Sequence, residues 1–375
     1  MCQSFNGGDY TITMKQGLAW DEGIAKGAAV AAWRLPEGEE AFLLQDFSGG
    51  TTLKEGWNLA DLAAGFLAAP FIGLPYFLQA DTLISFPLHS AERSKPYIAP
   101  AENPAKKTEF ITWVSEAIQA IKQGPLQKVV LSRTDEQDLP EAFNVMTALE
   151  ELGAAYPNAF VCALSIPALG GVWMCATPEI LVEQNAAGIF RTISLAGTQS
   201  GVDAEGFAIS PSQARWSQKE IEEQAFVSRY IIDCFKKIRL REYTEIGPKT
   251  ISTGNLLHLK TEYIVDTKAM DFPQLPGLML GLLHPTSAVC GTPKQEAIDF
   301  ISATESHDRS MYSGYLGPVN LSNATHLFVN LRTVEIKENH AVFYAGCGIT
   351  EDSDPAKEWQ ETQMKCQTLQ RILMQ

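Results

Sequence analysis

Apolar positions recur at helical spacing at Phe110, Val114, Ala117, Ile118 and Ile121, which predicts an amphipathic helix that Gly124-Pro125 stops. KVVLSR (128–133) then reads as a strand, and Phe143, Met146, Leu149 and Leu152 mark a second helix ending at Gly153. AFVCALSIP and GGVWMCATPE look like a hairpin, and ILVEQNAAGIFRTISLAGT repeats that plan about a turn at Asn185 to Gly188. Beyond residue 210 RWSQKEIEEQAFVSRYIIDCFKKIR carries an apolar helical face. PKQEAIDFISA, THLFVNLRTVEIKENHAVFYAGCGI and DPAKEWQETQMKCQTLQRIL then alternate helix, strands and helix. Long hairpins with segregated helices indicate an α+β fold of antiparallel sheets covered by helices rather than a doubly wound parallel sheet.

One stretch has no period to read. Leu62 to Leu78 (LAAGFLAAPFIGLPYFL) is apolar throughout, but Pro70 and Pro75 interrupt it and it falls short of the ~20 residues of a membrane span. It is expected to be a buried helix followed by a turn and strand. The 375 residues allow one large domain or two ordinary ones, and no repeat or linker divides them. Composition shifts once, near YIAPAENPAKK (97–107), so the expectation is a single domain over 1–375, with a variable half (1–104) and a half carrying the motifs (105–375).

Charge narrows the function. Lys and Arg total 29 against 44 Asp and Glu, a net charge of −15, which argues against nucleic acid or an anionic membrane as partner. An anionic substrate would need a metal or locally placed cations. Seven cysteines with no C-x-x-C pair read as reduced thiols, and no signal peptide is visible at the start, so a cytoplasmic protein is expected.

Candidate chemistry begins with two acid pairs. Glu220 and Glu223 in SQKEIEEQ, and Glu358 and Glu361 in KEWQETQMK, are each three apart and share a helical face. Facing one another they would repel unless a cation such as Mg²⁺ lay between them; the same spacing also fits solvated acidic faces. Lys128 opens an apolar strand and Glu179 closes another, where burial would shift both toward their neutral forms, as a base and acid pair requires; charged strand ends in solvent are the alternative. Arg332 is a cation on an apolar stretch, and Gly346 and Gly348 in YAGCGI lie within a strand, where glycine often marks close approach to a ligand; an ion pair and a bulge fit equally. Lys365, one helical turn beyond Glu361, adds a cation. His258 and His284 have no second ligand at metal spacing, so each is a core histidine or a base, and Gly197 in AGT fits a turn.

KVVLSR, TPEIL, SLAGT, SQKEIEEQ, LLHLKTEY, LHPTSAVCGTPKQEAI, ESHDRSMYSGYLGP, YAGCGITEDSDPAKEWQET and the final lysine together resemble the chorismate-utilising enzymes, in that family's order over roughly residues 105–370. The resemblance implies one large α+β domain with two facing antiparallel sheets, helices outside, and a site between the sheets. Within the family the isochorismate-forming variant looks most similar. It implies Lys128 as the base activating water and Glu179 as the acid protonating the leaving C4 hydroxyl. Glu223 and Glu361 would bind Mg²⁺, with Glu220 and Glu358 behind them. Gly197, Thr198, His258, Ala288, Arg332, Gly346, Gly348 and Lys365 would contact substrate.

Ammonia-using relatives carry glutamine where Lys128 stands, and lysine-type aminodeoxychorismate synthases place their lysine where Ala196 stands. Gln224 and Gln199 depart from the family's usual histidine and arginine. The expected enzyme is an isomerase acting on chorismate without a glutaminase subunit, as a monomer. A pyruvate-eliminating synthase of the salicylate or anthranilate type is the alternative, and a non-catalytic chorismate-binding relative a second. Whether the product would feed menaquinone or siderophore biosynthesis is not written in the chain.

Overall fold

Helix α1 (Asp9–Ala25) opens the computed structural model, which describes residues 9–88, 97, 99, 102–203, 207–253 and 256–375. Six strands follow: β1 (Ala29–Arg34), β2 (Glu40–Asp46), β3 (Thr51–Thr52), β4 (Gly65–Ala69), β5 (Tyr76–Gln79) and β6 (Thr82–Pro87). Next come α2 (Pro104–Gln123), β7 (Lys128–Asp138), α3 (Val145–Ala155), β8 (Phe160–Ile166), β9 (Gly171–Thr177), β10 (Ile180–Gln184) and β11 (Ile189–Ser200). After them stand α4 (Gln218–Lys237), β12 (Thr244–Thr253), β13 (Leu256–Asp266), α5 (Leu275–Leu283), β14 (Gly291–Thr292) and α6 (Lys294–Thr304). The chain ends in β15 (Tyr315–Val319), β16 (Thr325–Val329), β17 (Thr333–Lys337), β18 (His340–Ile349) and α7 (Pro355–Leu373).

The strands form two antiparallel sheets, ordered β14-β7-β18-β17-β9-β8-β1-β2-β6 and β12-β13-β11-β10-β16-β15-β4-β5-β3. Both are completed by strands from before residue 88, so the first part of the chain is woven into the same core. Strand alternation explains how the sheets face. Along β1, Ala29, Ala31 and Trp33 point into the layer between the sheets, while Val30 and Ala32 join an outer cluster with Leu149 and Leu152 of α3 and Leu369 of α7. Between the sheets Phe160 stacks on Phe328 with ring centroids 4.2 Å apart. On the far side of the second sheet Val227, Ile231 and Phe235 of α4 pack with Met279 and Leu283 of α5. The architecture is the α+β sandwich that the resemblance implies.

Leu62 to Leu78 departs from expectation: it contains no α-helix but the antiparallel pair β4 and β5. A uniformly apolar run carries no period, and tertiary contact decides it. A Cβ at Gly65 would stand 2.2 Å from Leu78 O, so glycine permits the close approach of the two strands. Phe143 likewise precedes its helix, whose N-cap is Asn144 with Oδ1 accepting from Met146 N and Thr147 N. That helix runs on through Gly153 to Ala155; a Cβ at Gly153 would press to 2.9 Å from Leu88. The other predicted helices and hairpins are present. Among the described residues the six cysteines are free and buried, and no helix is long and apolar enough to cross a membrane.

Two of the places where the chain crosses between the sheets are adjacent. Pro178 and Glu179 carry it from β9 in the first sheet to β10 in the second, and residues 330–332 return it from β16 to β17. Val329 N donates to Glu179 O at 2.9 Å and Ala176 N to Arg332 O at 3.2 Å, so the two crossings brace each other. Backbone groups at the crossings are thus paired with each other, and Glu179 and Arg332 are both buried where the chain passes between the layers.

Candidate active site

Glu179 and Arg332 therefore meet the same cleft from the two crossings. Arg332 is not on a strand, as alternation suggested, but in the connection, with φ of 48°. Lys128 enters from the start of β7, which pairs with β18 so that Gly348 lies beside Val130 and Gly346 beside Ser132. A Cβ at Gly348 would stand 2.9 Å from Lys128 Cε and 3.4 Å from its Nζ, so glycine there leaves the ammonium its place. Lys128 and Glu179 are each only 3% exposed, which rules out strand ends in solvent. Burial pushes the Glu179 carboxyl up to about 8, against the pull of Lys128 and Lys365. It lowers Lys128 from the ordinary lysine range, although Glu223, Glu179 and Glu361 oppose it.

His258, on β13, sits opposite a bulge in β11 between Ala196 and Thr198. Gly197 is that bulge, with φ of 68°, rather than a turn. A Cβ there would meet Glu220 O at 3.2 Å, so glycine also lets α4 lie close on the sheet. His258 Nδ1 is 3.0 Å from Gly197 O and 3.4 Å from Thr198 Oγ1, and Arg332 Nη2 is 2.9 Å from His258 Nε2. Burial first, then the Arg332 charge, lower the imidazole to about 3, so it is neutral at ordinary pH. Arg332 Nη1 is buried with no hydrogen-bond partner among the described residues, a donor ready for an anionic ligand.

The acidic wall is built by α4 and α7. Ser217 and Glu220 form a capping box: Glu220 Oε2 accepts from Ser217 N at 2.6 Å, which turns that carboxylate toward the helix start. Gln224 docks the helix, donating to Ser194 Oγ at 2.7 Å and Thr261 Oγ1 at 3.0 Å, so it serves as an anchor where relatives carry histidine. Glu223 is thereby directed into the cleft, where burial and the neighbouring Glu361 raise its pKa against the pull of Lys128. Lys365 binds Glu361 at 2.8 Å and donates to Gly346 O at 2.8 Å. Lys219 holds Glu358 at 2.5 Å, and Glu358 Oε2 is buried without a hydrogen-bond partner among the described residues. Among the described residues no three His, Cys, Asp or Glu side chains converge as a ready metal cage. Mg²⁺ commonly takes only one or two protein carboxylates, and Glu223 and Glu361, which both line the cleft, are a donor set of the kind such an ion would need.

Twelve of the fourteen residues to which the resemblance gives a role line one cleft: Lys128, Glu179, Gly197, Thr198, Glu223, His258, Ala288, Arg332, Gly346, Gly348, Glu361 and Lys365, whereas His284 packs on Tyr315 outside that lining. Glu220 and Glu358 stand outside its lining. Sequence reasoning missed Tyr312 and Tyr344, which stack with centroids 5.4 Å apart and line the cleft, and it gave Lys219 no role. Both tyrosines lie inside quoted motifs, but neither has a spacing that marks it. Behind Lys128, Glu305 accepts from Ser132 N at 2.6 Å and pairs with Arg309 at 2.5 Å, while Arg309 donates to Val130 O. This buried pair holds the backbone of β7 in place.

The family model described as chorismate binding enzyme matches residues 79–374. The isochorismate synthase EntC of Escherichia coli is 29% identical over 273 residues, 71% of this chain and 67% of its own. The salicylate biosynthesis isochorismate synthase of Pseudomonas aeruginosa is 30% identical over 286 residues, 73% of this chain but 57% of its own. The crystal structure of DhbC from Bacillus anthracis superposes with a TM-score of 0.75 at 23% identity, covering 94% of this chain and 99% of that one, a likeness of fold.

Proposed function

Because the chain belongs to the chorismate binding enzyme family, we propose that it is an isomerase converting chorismate to isochorismate. The observation that carries this reading is the buried pair Lys128 and Glu179, shifted toward the neutral amine and the neutral acid within one cleft. Neutral Lys128 takes a proton from water as its oxygen adds at ring C2. Protonated Glu179 gives a proton to the C4 hydroxyl, which leaves as water while the ring double bond shifts. One water enters and one departs, so substrate and product are isomers. Lysine at 128, where ammonia-using relatives carry glutamine, favours water as nucleophile.

The free Nη1 of Arg332, held by its bond to His258, and the Lys365 ammonium supply the positive side of the cleft. They suit a substrate carboxylate, with the backbone at Gly346 and Gly348 open to close approach. Glu223 and Glu361 would hold Mg²⁺, which when bound neutralises the second carboxylate of the substrate. A dianion can then enter an acidic protein. We read the chain as acting without a glutaminase partner. Incubating purified protein with chorismate and Mg²⁺ and identifying the product by chromatography tests the proposal: isochorismate is expected, and unchanged chorismate would refute it.

A further inference from the structure

Lys219 occupies a position its own helix disfavours. It is the second residue of α4, where the helix dipole presents its positive end, and it lies four residues before Glu223, the less favourable order for such a pair. Its contacts are nevertheless directed across to α7. Nζ lies 2.5 Å from Glu358 Oε1 and 3.8 Å from Glu223 Oε1. Glu358 is 1% exposed and its second oxygen has no hydrogen-bond partner among the described residues, so this carboxylate has capacity for more than one lysine contact. Lys365, the other cation here, is anchored by Gly346 O as well as Glu361; Lys219 is a third exposed and has solvent beside it to move into.

We propose that Lys219 is a built-in counter-cation: it neutralises the carboxylates between α4 and α7 when no divalent ion is bound, and yields them when one enters. This rests on the reading that Glu223 and Glu361 hold Mg²⁺. It makes the lysine and the metal competitors for one charge cluster, so the lysine weakens metal binding and steadies the metal-free protein.

Calorimetric titration of the full chain with Mg²⁺, and separately Mn²⁺, without substrate tests this in the unsubstituted protein, Lys219→Met and Glu361→Gln. Lys219→Met is expected to bind the metal about 3–30-fold more tightly, the scale set by losing a partly buried ion pair. Its thermal midpoint should fall below that of the unsubstituted protein in chelator and approach it at saturating Mg²⁺. Equal or weaker binding by Lys219→Met, in a protein whose unsubstituted form binds the metal and loses it on Glu361→Gln, would overturn the proposal and leave the metal reading intact. Absence of binding by every form, or binding unaffected by Glu361→Gln, would refute the metal reading and this inference with it.

Discussion

Arg332 Nη2 lies 2.9 Å from His258 Nε2, and an arginine can only donate, so the imidazole accepts there and carries its proton on Nδ1, which donates to Gly197 O at 3.0 Å. The ring couples the bulge of β11 to the guanidinium at the sheet crossing. His258→Ala should therefore loosen Arg332 and raise KM for chorismate about tenfold or more, with kcat within about threefold. A fall in kcat alone would give the histidine a different role. The ring also ties stability to pH. Its pKa is about 3 in the fold against about 6.5 for a free imidazole, so the unfolded chain takes up the proton first and stability is lost as pH falls below about 6.5. Denaturant titrations at pH 7.5 and 4.5 should differ by about 2 kcal/mol less in His258→Gln than in the unsubstituted protein.

Lys128→Ala and Glu179→Ala should each lower kcat about 10²–10⁴-fold while chorismate still binds. The acid must be protonated to act, and Glu179 loses its proton near pH 8, so kcat/KM should fall above that pH. A profile still rising at pH 9.5, or a variant with near-normal kcat, would assign the proton transfer to another group.

Turnover should vanish in excess chelator and return with added Mg²⁺, and Glu223→Ala and Glu361→Ala should each mimic metal loss. Full activity in chelator would remove the metal from the reaction.

Ala288 lines the cleft in HPTSAVCGTP, and the resemblance to the chorismate-utilising enzymes implies threonine at this place in pyruvate-eliminating members. The added hydroxyl and bulk would change how the enolpyruvyl end is held, and shifts of ~1 Å near the chemistry can alter rates about 10²-fold. Isochorismate with little pyruvate is expected from the unsubstituted protein, and Ala288→Thr should raise pyruvate release in a lactate-dehydrogenase-coupled assay. Stoichiometric pyruvate from the unsubstituted protein would favour the lyase.

Glu305 and Arg309 are 2% and 3% exposed at the side chain and paired at 2.5 Å, so removing one partner strands a buried charge. Arg309→Met should destabilise the fold by about 3–5 kcal/mol in chemical denaturation. Restoration of near-normal stability in Arg309→Met combined with Glu305→Leu would show that the cost lies in the unpaired carboxylate.

Sequence alone carried the period of α2, α4 and α7, the hairpins β8–β9 and β10–β11, and twelve cleft residues, because amphipathic spacing, turn residues and ordered motifs are local properties of the chain. Leu62 to Leu78 was beyond it: an unbroken apolar run suits a buried helix or two buried strands equally, and the close fit of Gly65 against Leu78 decides between them. Tertiary structure also decided what each charge does. Glu220 and Glu223 share one helical spacing, yet the first caps its own helix at Ser217 while the second enters the cleft. Lys219 reads as a surface lysine until α7 brings Glu358 within 2.5 Å. Burial shifts Lys128 and Glu179 toward their neutral forms, and burial depends on the opposite sheet, which the neighbours of neither residue in the sequence encode.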